Sequence, residues 1–125
     1  MKELTRTEEQ IMQILWIIKK GSIKDITEKF NNPKPAYTTV STIIRILENK
    51  GFMGHKAYGK TYEYFPLIER NDYTKAYMGS FVKNNFSNSY KKMVSFFAKD
   101  EEVSVKEMEE MMSILQKEMD KKRKT

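Results

Sequence analysis

The sequence predicts a mainly α-helical protein in which three helices and a β-hairpin precede a second, wholly helical half. Three observations predict it. Apolar residues recur at three- and four-residue spacing along most of the 125 residues, the period of helices with one buried face. One stretch, Phe52 to Phe65, is instead rich in β-branched and aromatic residues around a glycine, the pattern of a two-stranded hairpin. Only Pro33, Pro35 and Pro66 interrupt the chain, and no proline follows residue 66.

The first helix is expected to start at Thr5, because Thr5 and Glu8 have capping-box spacing. Ile11, Ile14, Leu15 and Ile18 then repeat along one face, and Trp16 is expected in the core. Lys19 and Lys20 suit the negative helix end, and Gly21 is expected to stop the helix. Ser22 and Asp25 cap a short second helix whose buried face is Ile23, Ile26 and Phe30. Pro33-Lys34-Pro35 marks a loop.

A third helix is expected from at or near Pro35 to Gly51, with Val40, Ile43, Ile44 and Leu47 on one side. Thr38, Thr39, Ser41, Thr42 and Arg45 line the rest. Threonine and serine have only middling helix propensity, and a purely structural exposed helix would more often carry Glu, Lys and Ala. That choice is the first sign of function. The hairpin follows, turning at Tyr58-Gly59-Lys60. Its Tyr62, Tyr64 and Phe65 are expected to pack on the third helix rather than to stack on single strands, and His55 is expected at the surface.

A boundary falls near Pro66–Asp72, dividing the chain into domains 1–70 and 71–125. Beyond it, Tyr73, Tyr77, Phe81 and Met78 form one helical stripe, and Tyr90, Met93, Val94, Phe96 and Phe97 another. Ser104 and Glu107 make a third capping box, after which Val105, Met108, Met112, Leu115 and Met119 form a heptad-like seam. The seam is too short to be a self-sufficient coiled coil but long enough to pack within a helical dimer interface. Tyr77, Phe81, Phe97, Met108, Met112, Leu115 and Met119 are therefore the expected dimerisation residues.

Composition narrows the function. The chain has no cysteine and one histidine, His55. That removes disulfides, thiolate metal sites and Cys nucleophiles, and makes acid–base enzymology hard to build. No enzyme, metal site or cofactor is expected. No apolar run is long enough to span a membrane, and the N-terminus lacks the apolar core of a signal peptide. A cytoplasmic protein with no membrane insertion is expected. The formal net charge is +6, and it is not evenly spread: Lys29, Lys34, Arg45, Lys50, Lys56 and Lys60 face only Glu48 between residues 29 and 62. Such a basic stretch favours a nucleic acid backbone, from which Lys and Arg release condensed counterions.

Helix and charge fit together. Short hydroxylated side chains let a helix enter the major groove, where their hydroxyls meet base edges and threonine methyls meet thymine methyls. A helix-turn-helix unit puts its second helix there while the first crosses the backbone. Ser22–Phe30 would then be the supporting helix and Tyr37–Lys50 the recognition helix. The hairpin would be a wing. The expected DNA-binding residues are Tyr37, Thr38, Thr39, Ser41, Thr42 and Arg45 on the helix, with Lys56, Tyr58 and Lys60 on the wing. The fold expected is a winged helix-turn-helix DNA-binding domain followed by a helical dimerisation domain.

The run Ala36-Tyr37-Thr38-Thr39-Val40-Ser41-Thr42, with Leu47-Glu48-Asn49-Lys50-Gly51-Phe52 after it, resembles the penicillinase-repressor (BlaI/MecI/CopY) family. Ile11-Met12-Gln13-Ile14-Leu15-Trp16 is similar to that family's first helix. Phe97-Ala98-Lys99-Asp100-Glu101-Glu102 and Glu107-Met108-Glu109-Glu110 are similar, more loosely, to its C-terminal half. The resemblance implies a homodimeric repressor on double-stranded DNA carrying a palindromic operator, of the β-lactamase or antibiotic-resistance type. It also implies inactivation by proteolysis of the dimerisation domain, triggered by a membrane sensor-protease. Thr38, Thr39, Ser41 and Thr42 match the family's DNA-facing positions. Where the family usually has Arg, this chain has Ile46, with Arg45 one place earlier. The counterpart of the family's Asn-Phe scissile bond is Phe96-Phe97, the candidate cleavage site. The copper-responsive branch's Cys-rich motif is absent. Two other readings stay open: a ligand-sensing winged-helix regulator of another family with an apolar pocket between its halves, and a dimerising interaction module without DNA binding.

Overall fold

The computed structural model describes residues 1–125 in full. The elements run α1 (Arg6–Ile18), α2 (Ile23–Glu28), α3 (Tyr37–Asn49), β1 (Met53–Tyr58), β2 (Thr61–Pro66), α4 (Arg70–Asn85), α5 (Tyr90–Ala98) and α6 (Val105–Arg123). The chain is mainly helical, with one two-stranded antiparallel sheet, as the periodicity predicts. It divides into two compact units, Met1–Met78 and Gly79–Thr125, so the first turns of α4 belong to the N-terminal unit.

Local chemistry sets the helix starts. Thr5, Ser22 and Ser104 each cap a helix reciprocally with an acidic residue three positions on, satisfying end amides that have no partner within the helix. Ser89 caps α5 from its side chain alone. The helix ends depart from expectation at one point. The left-handed residue after α1 is Lys19, with φ 72°, and Gly21 has another role. Gly21 exchanges both backbone hydrogen bonds with Tyr64 of β2, at 3.0 and 2.8 Å, and a Cβ there would stand 2.9 Å from Ile18 Cδ1. Its lack of a side chain leaves room for the side chains of Ile18 and Asp25, which a Cβ would crowd. Gly51 does end α3 as expected: at φ 83° it lets its own amide reach Glu48 O and that of Phe52 reach Leu47 O, the two bonds of a Schellman motif.

The N-terminal unit is built around one core. Ile11, Met12 and Leu15 of α1, Ile26 of α2, and Val40, Ile44 and Leu47 of α3 are buried with Phe52, Met53, Tyr64 and Tyr73. Ile14, Ile18, Ile23, Ile43 and Phe30 pack against that core half-buried. Trp16 also lies at its edge, because its indole N–H must find a partner; it donates to Ile68 O at 2.9 Å. Arg70 and Tyr73 then fasten the start of α4 to α1, through Gln13 Oε1 at 2.6 Å and Glu9 Oε2 at 2.7 Å.

The hairpin pairs Met53 with Pro66 through Tyr58 with Thr61, and the left-handed Gly59, φ 61°, leads its two-residue turn. Tyr62 and Tyr64 share a face of β2, two residues apart. Tyr64, near the base, is buried. Tyr62, near the tip, is exposed and stacks on His55 with ring centroids 4.4 Å apart. Only the inner part of the aromatic cluster is therefore core.

The C-terminal unit has little interior of its own. Val82 is its one fully buried apolar residue. Phe81, Phe86 and Phe96 form a chain of ring contacts, with centroids 5.8 and 5.6 Å apart. They line an open concavity of about 900 Å³ with Lys92 and Lys99.

Candidate nucleic-acid interface

The side of α3 that faces away from the core is the centre of the site. Successive residues turn by about 100°, so burial of Val40, Ile44 and Leu47 directs Thr38, Thr42, Arg45 and Asn49 outward together. All four are exposed. Tyr37 and Thr39 flank them, also exposed, whereas Ser41 is half-buried at the margin. Asn49 is an addition to the expected residues; its i+11 spacing from Thr38 places it on the same stripe. Ile46 adds an apolar side chain to this face and is 41% exposed.

Two details fix what this face can offer. Thr42 Oγ1 donates to Thr38 O at 2.9 Å, which leaves the Thr42 methyl and the oxygen's lone pairs for a partner. The helix start carries no side-chain cap, so the amides of its first turn lack that internal acceptor.

The wing completes the surface. Lys56, Tyr58 and Lys60 are exposed around the hairpin tip, and Lys56 Nζ lies 5.4 Å from the Tyr58 ring centroid, within cation–π range. His55 Nδ1 meets Glu48 Oε2 at 2.5 Å, so the strand leading to the tip is tied directly to the last turn of α3.

One cation counted in the basic stretch lies elsewhere. Lys50 Nζ binds Glu8 at 2.7 and 3.1 Å and Glu3 O at 3.3 Å, and Glu8 is only 4% exposed. Lys50 is a bridge between the start of α1 and the end of α3. Burial alone would raise the Glu8 carboxyl, but the hydrogen bond and charge of Lys50, with the Thr5 amide, outweigh it and hold the group below the usual carboxylate range. The outward cations are then Arg45, Lys56 and Lys60, with Lys29 and Lys34 exposed on the preceding segment.

The expected dimerisation residues fall in both units. Tyr77 lies in the N-terminal one, its ring 6.2 Å from that of Tyr73, and Phe81 in the C-terminal one. On α6, Val105, Met112, Leu115 and Met119 are exposed and Met108 is half-buried. Their spacing gathers all five into an arc of about 80° on the helix. Phe96 is 71% exposed and Phe97 half-buried, both on the short α5. The chain has no group of His, Cys, Asp and Glu suited to a metal, and no helix is long and apolar enough to cross a membrane.

The chain is similar to known proteins along nearly its whole length. The family model described as penicillinase repressor matches residues 4–117. The methicillin resistance regulatory protein MecI of Staphylococcus aureus (strain N315) is 29% identical over 116 residues, covering 92% of this chain and 94% of its own. The penicillinase repressor of Bacillus licheniformis is 21% identical over 122 residues, covering 97% and 95%. The penicillinase repressor of Staphylococcus aureus is 28% identical over 114 residues, covering 90% of each chain. Three helices, a wing and a family match over most of the chain agree: the chain belongs to the penicillinase repressor family, whose members are DNA-binding transcriptional regulators and not enzymes.

Proposed function

We propose that this protein is a homodimeric, sequence-specific repressor that binds a palindromic operator of a β-lactamase or antibiotic-resistance type operon. The N-terminal unit is the DNA-binding domain and the C-terminal unit the dimerisation domain. The outward face of α3, continued by a basic wing, carries this reading. Its dimensions suit the major groove, and Arg45, Lys56 and Lys60 supply charge on the flanks that meet phosphates. The names of the relatives, a methicillin resistance regulator and two penicillinase repressors, support the type of operon.

The poverty of the second unit's core supports dimerisation. A fully buried Leu or Ile contributes on the order of 2 kcal/mol. The N-terminal unit has eleven buried core residues and the C-terminal unit only Val82. The exposed stripe of α6 gains burial when a second copy covers it, and two linked half-site readers raise operator affinity by effective concentration. Induction acts on the same linkage. A sensor-protease cutting at Phe96–Phe97 would remove α6 from the DNA-binding unit. The exposed Phe96 side chain and the short α5, which must unwind to enter a protease, suit that role.

Salt dependence tests the assignment of roles. Arg45→Ala and Lys60→Ala are expected to weaken binding about equally on all sequences and to flatten the log–log salt slope by about one for each phosphate interaction removed. Thr42→Ala is expected to change base preference and leave the slope unaltered. Titrations at several salt concentrations, on selected and scrambled duplexes, separate the two; identical behaviour of all three variants would refute the division into positioning and reading residues.

A further inference from the structure

The centre of the α3 face is less polar than a row of threonines implies. Thr42 has committed its only donor to Thr38 O, at 2.9 Å. Ile46, one helical turn further on, carries no polar side-chain atom and is 41% exposed. Thr39, exposed as well, lies seven residues before Ile46 and within about 20° of it around the helix axis. Thr42 and Ile46 therefore present methyl groups on this face, and the exposed Thr39, which carries a third, stands beside Ile46. Arg45 stands about 60° to one side of Thr42 and Asn49 about 20°, so polar and charged groups border this methyl patch without entering it.

An exposed isoleucine on a folded surface costs nothing specific and needs no partner by itself. Its setting here argues for one. The patch lies on a helix face that also carries the exposed Arg45, and the wing of the same unit carries the exposed Lys56 and Lys60, so an occupant anionic outside and apolar inside fits it. The major groove of B-DNA meets both demands, with phosphates along its edges and the thymine C5-methyl projecting into it. We infer that Thr39, Thr42 and Ile46 form a thymine-methyl-reading patch, with Ile46 the chief specificity-determining residue at its position in each half-site. This rests on the DNA-binding reading above and deepens it, since the phosphate contacts alone carry no sequence information.

The test uses the full chain and the duplex site that it selects from a random library. Each thymine of that site is replaced in turn by uracil, which removes the C5-methyl and leaves every hydrogen-bonding atom. One or two positions per half-site should lose about four-fold in affinity, the change that corresponds to about 0.8 kcal/mol for one buried methyl-sized group, at an unaltered salt slope. Ile46→Ala should bind the thymine and uracil sites equally at one of those positions, and Thr42→Ser at a neighbouring one. Helix content by circular dichroism checks folding, and the exposed position together with alanine's high helix propensity should preserve it. Full affinity for uracil at every position would overturn the patch while leaving the repressor reading intact. So would an Ile46→Ala variant that still discriminates every methyl. Failure to select any site would overturn both readings together.

Discussion

Replacing Met112 and Leu115 by lysine should leave the N-terminal unit folded and lower operator affinity by about a hundred-fold or more. Both side chains are exposed in the single chain, Met112 at 69%, so the substitutions open no cavity and bury no charge in the isolated protomer. In a dimer they would place two cations per copy in the centre of an apolar seam, where each must stay unpaired and desolvated. The dimer then gives way. The loss on DNA is larger than any single interaction explains, because joining two half-site readers enhances binding by about 10² to 10⁴ over one of them. Sedimentation velocity should show the monomer at micromolar concentration, and titration on a two-half-site duplex should approach the affinity for a single half-site. A variant that is monomeric yet binds the full site as tightly as the parent would show that the two copies need no helical seam to cooperate.

Substituting Lys50 by methionine should destabilise the N-terminal unit by about 2–3 kcal/mol at neutral pH. Methionine replaces the aliphatic stem of lysine but not its ammonium, and Glu8, 4% exposed, keeps a carboxylate without its main partner. The pH dependence carries a sign. In the parent, the Glu8 carboxyl is held below its ordinary value, so its ionised form contributes stability above the unfolded-state pKa. That contribution is lost as pH falls through the lower folded value. In Lys50→Met the desolvation of Glu8 is no longer outweighed, its pKa rises, and protonation relieves the buried charge. The gap between parent and variant should therefore narrow as the pH approaches about 4, the ordinary carboxylate range. Urea denaturation at neutral pH and in that range measures it; a gap that stays constant would mean that the loss is one of packing alone.

The parts of this fold that are legible in the sequence are those set by neighbours along the chain. Capping boxes at Thr5, Ser22 and Ser104, the apolar faces of α1 to α3, the glycine that ends α3 and the hairpin tip all depend on residues within a few positions of one another. Gly21 misleads because a glycine after a helix is usually read as a left-handed stop, whereas here its backbone bridges to Tyr64, a strand residue distant in sequence, and its missing Cβ makes room for Ile18 and Asp25. Lys50 misleads for the same reason. Its partner Glu8 lies 42 residues away, and a charge count along the chain cannot distinguish a cation facing solvent from one spent across the core.

The candidate site divides in the same way. Helical spacing places Thr38, Thr42 and Arg45 on one outward face, and the structure agrees. The commitment of the Thr42 hydroxyl to Thr38 O depends on a rotamer, which spacing does not specify. The tie between His55 and Glu48, which links wing to helix, depends on how the hairpin folds back. In the C-terminal unit the apolar seam of α6 is visible in the sequence but its exposure is not, since periodicity reports that a face is apolar and not what covers it.

The most direct test of the central claim is selection of bound sequences from a random duplex library by the full chain, at about 150 mM salt, where non-specific attraction is partly screened. A dimeric reader should recover an inverted repeat with half-sites about one helical turn, or a multiple of it, apart. Recovery of no motif by a protein that is still dimeric in sedimentation would contradict the account. It would make the helical unit the functional part and the winged helix a fold without a reading role.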